Sequence, residues 1–115
     1  MEIGLIFHLG LYSVYAYDDI ESAKRRKIKN GSEWYFKRLL VKEGDYRPVS
    51  GWQSTQKFHL ENYNSQDYFE AEREFKLDKL DLDSWMELAV SINCTYVIIT
   101  AKHHENFCNN IYIPN

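Results

Sequence analysis

Four polar side chains arrive together at Lys102-His103-His104-Glu105, directly after the apolar run Tyr96-Val-Ile-Ile-Thr100. A further histidine, His8, follows a similar run at Ile3-Gly-Leu-Ile-Phe7. An imidazole both donates and accepts hydrogen bonds near neutral pH, and it can also ligate a metal. Two apolar runs ending in histidine therefore offer a ligand-binding surface. With Glu33 they also offer His8, His103 and His104 as a histidine–carboxylate set of the kind zinc accepts. The plainer reading of residues 102–105 is a solvated loop with two surface histidines. Which reading holds depends on the elements that carry them.

The run from Tyr96 to Thr100 is β-branched and apolar without polar alternation, which predicts a strand covered on both faces, as in a parallel sheet. In open α/β sheets and β/α barrels, ligands sit at the carboxyl ends of such strands. His8 and the His103–His104 pair both fall at strand ends of this kind. Two like strands with helix between them describe a βαβ unit, so the two ends of the chain can share one site.

Between the strands, residues 82–92 carry Leu82, Trp85, Met86, Ala89 and Ile92 at three- and four-residue spacing, which predicts an amphipathic helix. Asp81 or Asp83 can cap its start, and Asn93 suits a left-handed residue at its end. Ser32 to Leu40 reads as a short helix capped by Ser32, with Trp34 more at home in a core than at a ligand. The stretch 18–31 is polar and includes Lys24-Arg-Arg-Lys-Ile-Lys29, read as a solvated loop. Residues 41–66 hold Gly44, Pro48, Gly51 and many Ser, Asn and Gln, and read as a long loop. Tyr63, Tyr68, Phe69 and Phe75 are expected to pin that loop to the body.

Composition narrows the class. At 115 residues the chain is one domain or part of one, with 44% hydrophobic and 27% charged residues as in a globular protein. A net charge of -3 gives no general attraction to nucleic acid or anionic membrane. Aromatics reach 16%, nine of them Tyr, compatible with carbohydrate contact and with a compact core alike. Cys94 and Cys108 fit neither a disulfide framework nor a zinc pattern, and read as reduced thiols with Cys94 buried. No signal peptide or membrane-length apolar run is visible, which makes the cytoplasm the default expectation.

The ordered segments Gly4-Leu-Ile-Phe-His-Leu-Gly-Leu-Tyr-Ser-Val14, Glu33-Trp-Tyr35, Asp81-x-x-x-Trp85 and Tyr96-Val-Ile-Ile-Thr-Ala-Lys-His-His-Glu-Asn-Phe107 resemble the retaining alpha-L-fucosidases among the glycoside hydrolases. Phe58-His59 and Tyr68-Phe69 look like that family's connection between its first two barrel modules. The resemblance implies a partial (β/α)8 barrel, its first two β/α modules only, in one fragment-like domain. It implies that His8, Glu33, Trp34, His103 and His104 line a fucose pocket. Three departures accompany it. Leu9 stands where the family usually has Trp, Tyr15 where Pro is common, and Glu105-Asn106 where Asp-Gly is usual.

A full barrel of this type needs about 250 residues, and a retaining glycosidase needs two carboxylates about 5–5.5 Å apart. In the family both come from later strands, and no residue here matches either one. The expectation is a fucosidase-like piece that holds fucose or a fucosylated glycan without cleaving it, using no cofactor and no metal. A companion chain with the remaining strands, or self-association, is the expected protein partner. The alternative is a non-catalytic remnant or small carbohydrate-binding protein.

Overall fold

Two short strands, β1 (Gly4–Phe7) and β2 (Tyr96–Ile99), pair in parallel with Gly4 opposite Tyr96 and Phe7 opposite Ile99. The ladder extends past both ends through Thr95 N–H to Ile3 C=O and Thr100 N–H to Phe7 C=O. This arrangement comes from a computed structural model that describes residues 1–26 and 31–109. Among the described residues five helices lie between the strands: α1 (Tyr12–Tyr15), α2 (Ile20–Arg26), α3 (Tyr35–Leu39), α4 (Trp52–Tyr63) and α5 (Leu82–Ser91). Short 3-10 turns occupy Ser32–Trp34, Tyr68–Arg73 and Leu77–Lys79. No helix among the described residues is long and apolar enough to cross a membrane.

The strands are covered on one face, not two. Leu5, Phe7, Val97 and Ile99 are half-buried, with Phe7 stacked on Trp85 of α5 at 4.6 Å between ring centroids. Ile6, Tyr96 and Ile98 on the opposite face are exposed. Only the middle of the α5 stripe is covered: Trp85 and Met86 are half-buried and Ala89 buried, while Leu82 and Ile92 stay exposed. Asp81 caps α5 by accepting from Ser84 N–H, and Asn93 follows at φ 59°. Cys94 is half-buried, not buried, and Cys108 is exposed.

The core sits away from the sheet and is built mainly from tyrosine. Leu11, Tyr12, Tyr15, Tyr35, Tyr68 and Ala71 are buried together. Tyr15 is its hub. Its ring stacks on Tyr35 and Tyr68, meets Tyr63 edge-on, and its hydroxyl donates to Tyr68 C=O at 2.7 Å. The position where the resembling family commonly has Pro therefore carries an aromatic anchor, and each such ring pair adds about 0.5–1.5 kcal/mol beyond its burial. Tyr63, Tyr68, Phe69 and Phe75 all pack onto this body, Phe75 through Phe107.

Three local expectations are corrected. Residues 41–66 are not one long loop, because α4 runs through them. Its buried face is polar, with Thr55 and His59 inward, so no apolar stripe marks it. Side-chain hydrogen bonds hold it instead. His59 lies between Tyr35 Oη at 2.9 Å and Gln66 C=O at 2.8 Å, and Gln56 donates to the C=O groups of Arg38 and Val41. Residues 20–26 form α2 where a loop was expected; Lys27 and Lys29 of the basic run lie outside the described residues. Ser32 does not cap a helix but opens a 3-10 turn that leads into α3.

Candidate functional site

Each strand hands the chain to a histidine. β1 ends at Phe7, and His8 follows at once in the exposed bend before α1. Beyond β2, an antiparallel bridge between Lys102 and Cys108 closes the segment between them into a tight turn. Asn106 N–H reaches His103 C=O at 3.0 Å, and Asn106 adopts φ 62°. Asn tolerates that left-handed conformation better than most residues, so the turn survives without the usual glycine.

The rings form a continuous line. His8 meets His103 edge-on at 5.5 Å, His103 meets His104 at 4.6 Å, and His104 lies against Trp34 at 4.4 Å. Glu33 precedes Trp34 in the 3-10 turn, and its charge is felt at His103. Gly31 leaves the space into which the Glu33 carboxylate folds, since a Cβ on Gly31 would stand 2.5 Å from Glu33 Oε2. His8, Glu33, Trp34, His103 and His104 therefore come together, although 96 positions separate the first from the last. Among the described residues no group of three or more His, Cys, Asp or Glu side chains is arranged to hold a metal ion.

Burial is the main reason the His103 pKa falls below the ordinary imidazole value, with the neighbouring His104 and His8 pushing the same way and Glu33 opposing. A neutral His103 at pH 7 keeps one ring nitrogen as donor and one as acceptor, which suits hydroxyl groups. Trp34 is half-buried, with its ring against His104.

Several residues that hold this arrangement were not among the expected pocket residues. Glu105 is 1% exposed and accepts hydrogen bonds from Leu11 N–H at 3.0 Å, Tyr12 N–H at 3.2 Å and the Tyr68 hydroxyl. It thereby ties the turn after β2 to the start of α1, one residue beyond the histidine pair on one side and three beyond His8 on the other. Desolvation raises its pKa, against the opposing effect of these hydrogen bonds. Gly10 makes the approach possible, because a Cβ there would collide with Glu105 Oε1 and the Tyr12 ring. Tyr12, buried at the same place, packs against His103 at 5.5 Å and has its pKa pushed up to about 12, mainly by burial and then by Glu105 and Glu33.

Asn109 adds a second tie, donating through its side chain to Leu9 C=O at 2.8 Å and Thr100 C=O at 2.7 Å. Arg38 fixes the Glu33–Trp34 turn from behind. Fully buried, it pairs with Asp18 at 2.9 Å and donates to Ser50 C=O at 3.0 Å and Gly31 C=O at 3.4 Å.

Comparison with known proteins gives the family. Residues 1–110 match the family model described as alpha-L-fucosidase. The chain is 30% identical over 109 residues to the tissue alpha-L-fucosidase of Mus musculus, covering 94% of this chain and 20% of that protein. It is 27% identical over 113 residues to an alpha-L-fucosidase of Dictyostelium discoideum, with 93% and 20% covered. The tissue alpha-L-fucosidase of Homo sapiens is 28% identical over 109 residues, with 94% and 19% covered. The chain thus spans about a fifth of the length of the curated relatives it matches. No solved structure matches it significantly. On the family match across nearly all of its length, the chain belongs to the alpha-L-fucosidase family.

Proposed function

We propose that His8, Glu33, Trp34, His103 and His104 bind the fucose ring of a fucosylated glycan, as the sugar-recognising part of an alpha-L-fucosidase-type site. The observation that carries this is the unbroken contact line from His8 through His103 and His104 to Trp34, with Glu33 beside it. Imidazole and carboxylate groups exchange hydrogen bonds with the sugar hydroxyls, and Trp34 covers the apolar side of the deoxysugar.

Cleavage needs more than this wall. A retaining glycosidase uses two carboxylates, one as nucleophile and one as acid/base. Among the described residues, Glu33 and Glu105 border the histidines, and of these Glu33 is the accessible one. Glu105 is buried with both oxygens engaged. The 115-residue chain therefore holds sugar without turning it over, and the missing carboxylates come from further polypeptide. In this reading β1 and β2 are the first two strands of a (β/α)8 barrel with α5 on its outside. The bare face of Ile6, Tyr96 and Ile98 and the open strand edges are where the rest docks.

The test combines a fucose titration followed by NMR with an assay on an aryl fucoside. Millimolar binding is expected, with shifts at the Trp34 indole and the His103 and His104 rings, and no turnover. Absence of those shifts would remove the sugar-binding reading. Turnover by the chain alone that disappears in Glu33→Gln would overturn the separation of binding from cleavage.

A further inference from the structure

Beside the histidine pair opens a cavity of about 460 Å³ lined by Lys37, Lys102, His103, His104 and Asn106. Lys37 comes from the last turn of α3, and Lys102 from the bridge that closes the histidine turn. The lining contains no carboxylate. Neither lysine forms an ion pair among the described residues, although lysines elsewhere do, as Lys24 with Glu21 and Lys57 with Glu61. Two lysines, two histidines and an asparagine thus line one space, and the nearest carboxylate the histidines feel, Glu33, lies outside that lining.

A neutral deoxysugar has no use for two cations. Hydroxyls are satisfied by the mixed donors and acceptors of the histidine–tryptophan wall, whereas unpaired ammonium groups beside it favour negative charge. Lysine acts as a three-donor point charge rather than a planar fork, which suits a tetrahedral oxyanion approached from several sides better than a flat carboxylate. His103 and His104 belong to both spaces, so a sugar on the wall would carry a substituent directly into the cavity.

We propose that the cavity between Lys37 and Lys102 is a subsite for a sulfate ester, and that the glycan recognised here is a sulfated fucoside. This rests on the fucose reading above and narrows its substrate class.

The full 115-residue chain is titrated at low ionic strength with L-fucose, with inorganic sulfate and with the L-fucose monosulfates, each followed by two-dimensional NMR. At least one monosulfate is expected to bind roughly five- to tenfold more tightly than fucose, the scale of a few exposed charge-assisted contacts. The gain should shrink in Lys37→Gln and in Lys102→Gln, vanish in the double variant, and fade at about 1 M salt, while fucose affinity stays unchanged. Lys102 is exposed and Lys37 half-buried, neither in an ion pair among the described residues, so circular dichroism is expected to show all variants folded.

Equal affinity for fucose and every monosulfate overturns the subsite and leaves the fucose reading intact, as does a gain that survives in the double variant. Inorganic sulfate binding as tightly as any monosulfate overturns the subsite too, because the sugar then contributes nothing. A chain that responds to no fucose-containing ligand removes both proposals.

Discussion

The side chain of Glu105 accepts the backbone N–H of Tyr12 across 93 positions of sequence, at 3.2 Å. One carboxylate therefore fixes the spacing between the two strand ends on which the histidines ride. In Glu105→Gln the amide nitrogen cannot accept from Tyr12 N–H or the Tyr68 hydroxyl, leaving at least one buried donor unpaired. The expected cost is about 1–3 kcal/mol in urea unfolding.

The pH dependence of that cost has a definite sign. Burial raises the Glu105 pKa in the folded chain, so the folded state holds the proton more tightly than the unfolded one. Its contribution is complete below the ordinary glutamate range and declines as pH rises through the folded value. The stability gap between wild type and Glu105→Gln should narrow from pH 4 to pH 8; a gap that widens contradicts the assignment.

His103 should titrate below the ordinary imidazole value of 6.5, mainly because it is partly buried and secondarily because His104 and His8 crowd it. A histidine with a depressed pKa favours folding above its unfolded value and loses that contribution as pH falls through 6.5 toward the folded one. Following its ring proton by NMR gives the midpoint directly. Glu33→Gln should lower the midpoint further, since the Glu33 charge is the one opposing influence, and His104→Ala should raise it. A rise in Glu33→Gln would mean that the carboxylate does not face the imidazole.

Arg38→Met should cost about 3 kcal/mol, near the low end for breaking a buried ion pair, because Asp18 retains some solvent. Arg38→Lys should fall between, keeping the charge but losing the fork that serves Asp18, Gly31 and Ser50 together. Adding Asp18→Asn to Arg38→Met should cost less than the sum of the two single changes. Strict additivity in chemical denaturation would place the stabilisation outside the Arg38–Asp18 pair.

What could be read in advance follows from where each element gets its stability. The apolar runs at Ile3–Phe7 and Tyr96–Thr100 announce their strands, and the 82–92 stripe with Asp81 and Asn93 at its ends announces α5. The single-faced sheet was not legible, because an unbroken apolar run carries no mark of which side is left open. α4 was hidden for the opposite reason: Thr55, Gln56 and His59 hold it through hydrogen bonds to distant groups, so its buried side looks hydrophilic. At the site, the five wall residues follow from the strand ends and the family resemblance. Glu105 stood out as a member of the polar cluster after β2 and as a substitution, but not as a buried tie, and Arg38 not at all, since partners so far along the chain leave no local pattern.

The close approach over Gly10 has a consequence for how this chain can vary. The four-atom reach of Glu105 fills that space, so positions 10 and 105 behave as a tongue and its slot. A side chain at 10 leaves no room for the tongue, and a shorter acid at 105 must draw both turns inward to touch Leu11 and Tyr12. A side chain added at position 10 would therefore disturb the turn that carries His103 and His104 before it touched either of them.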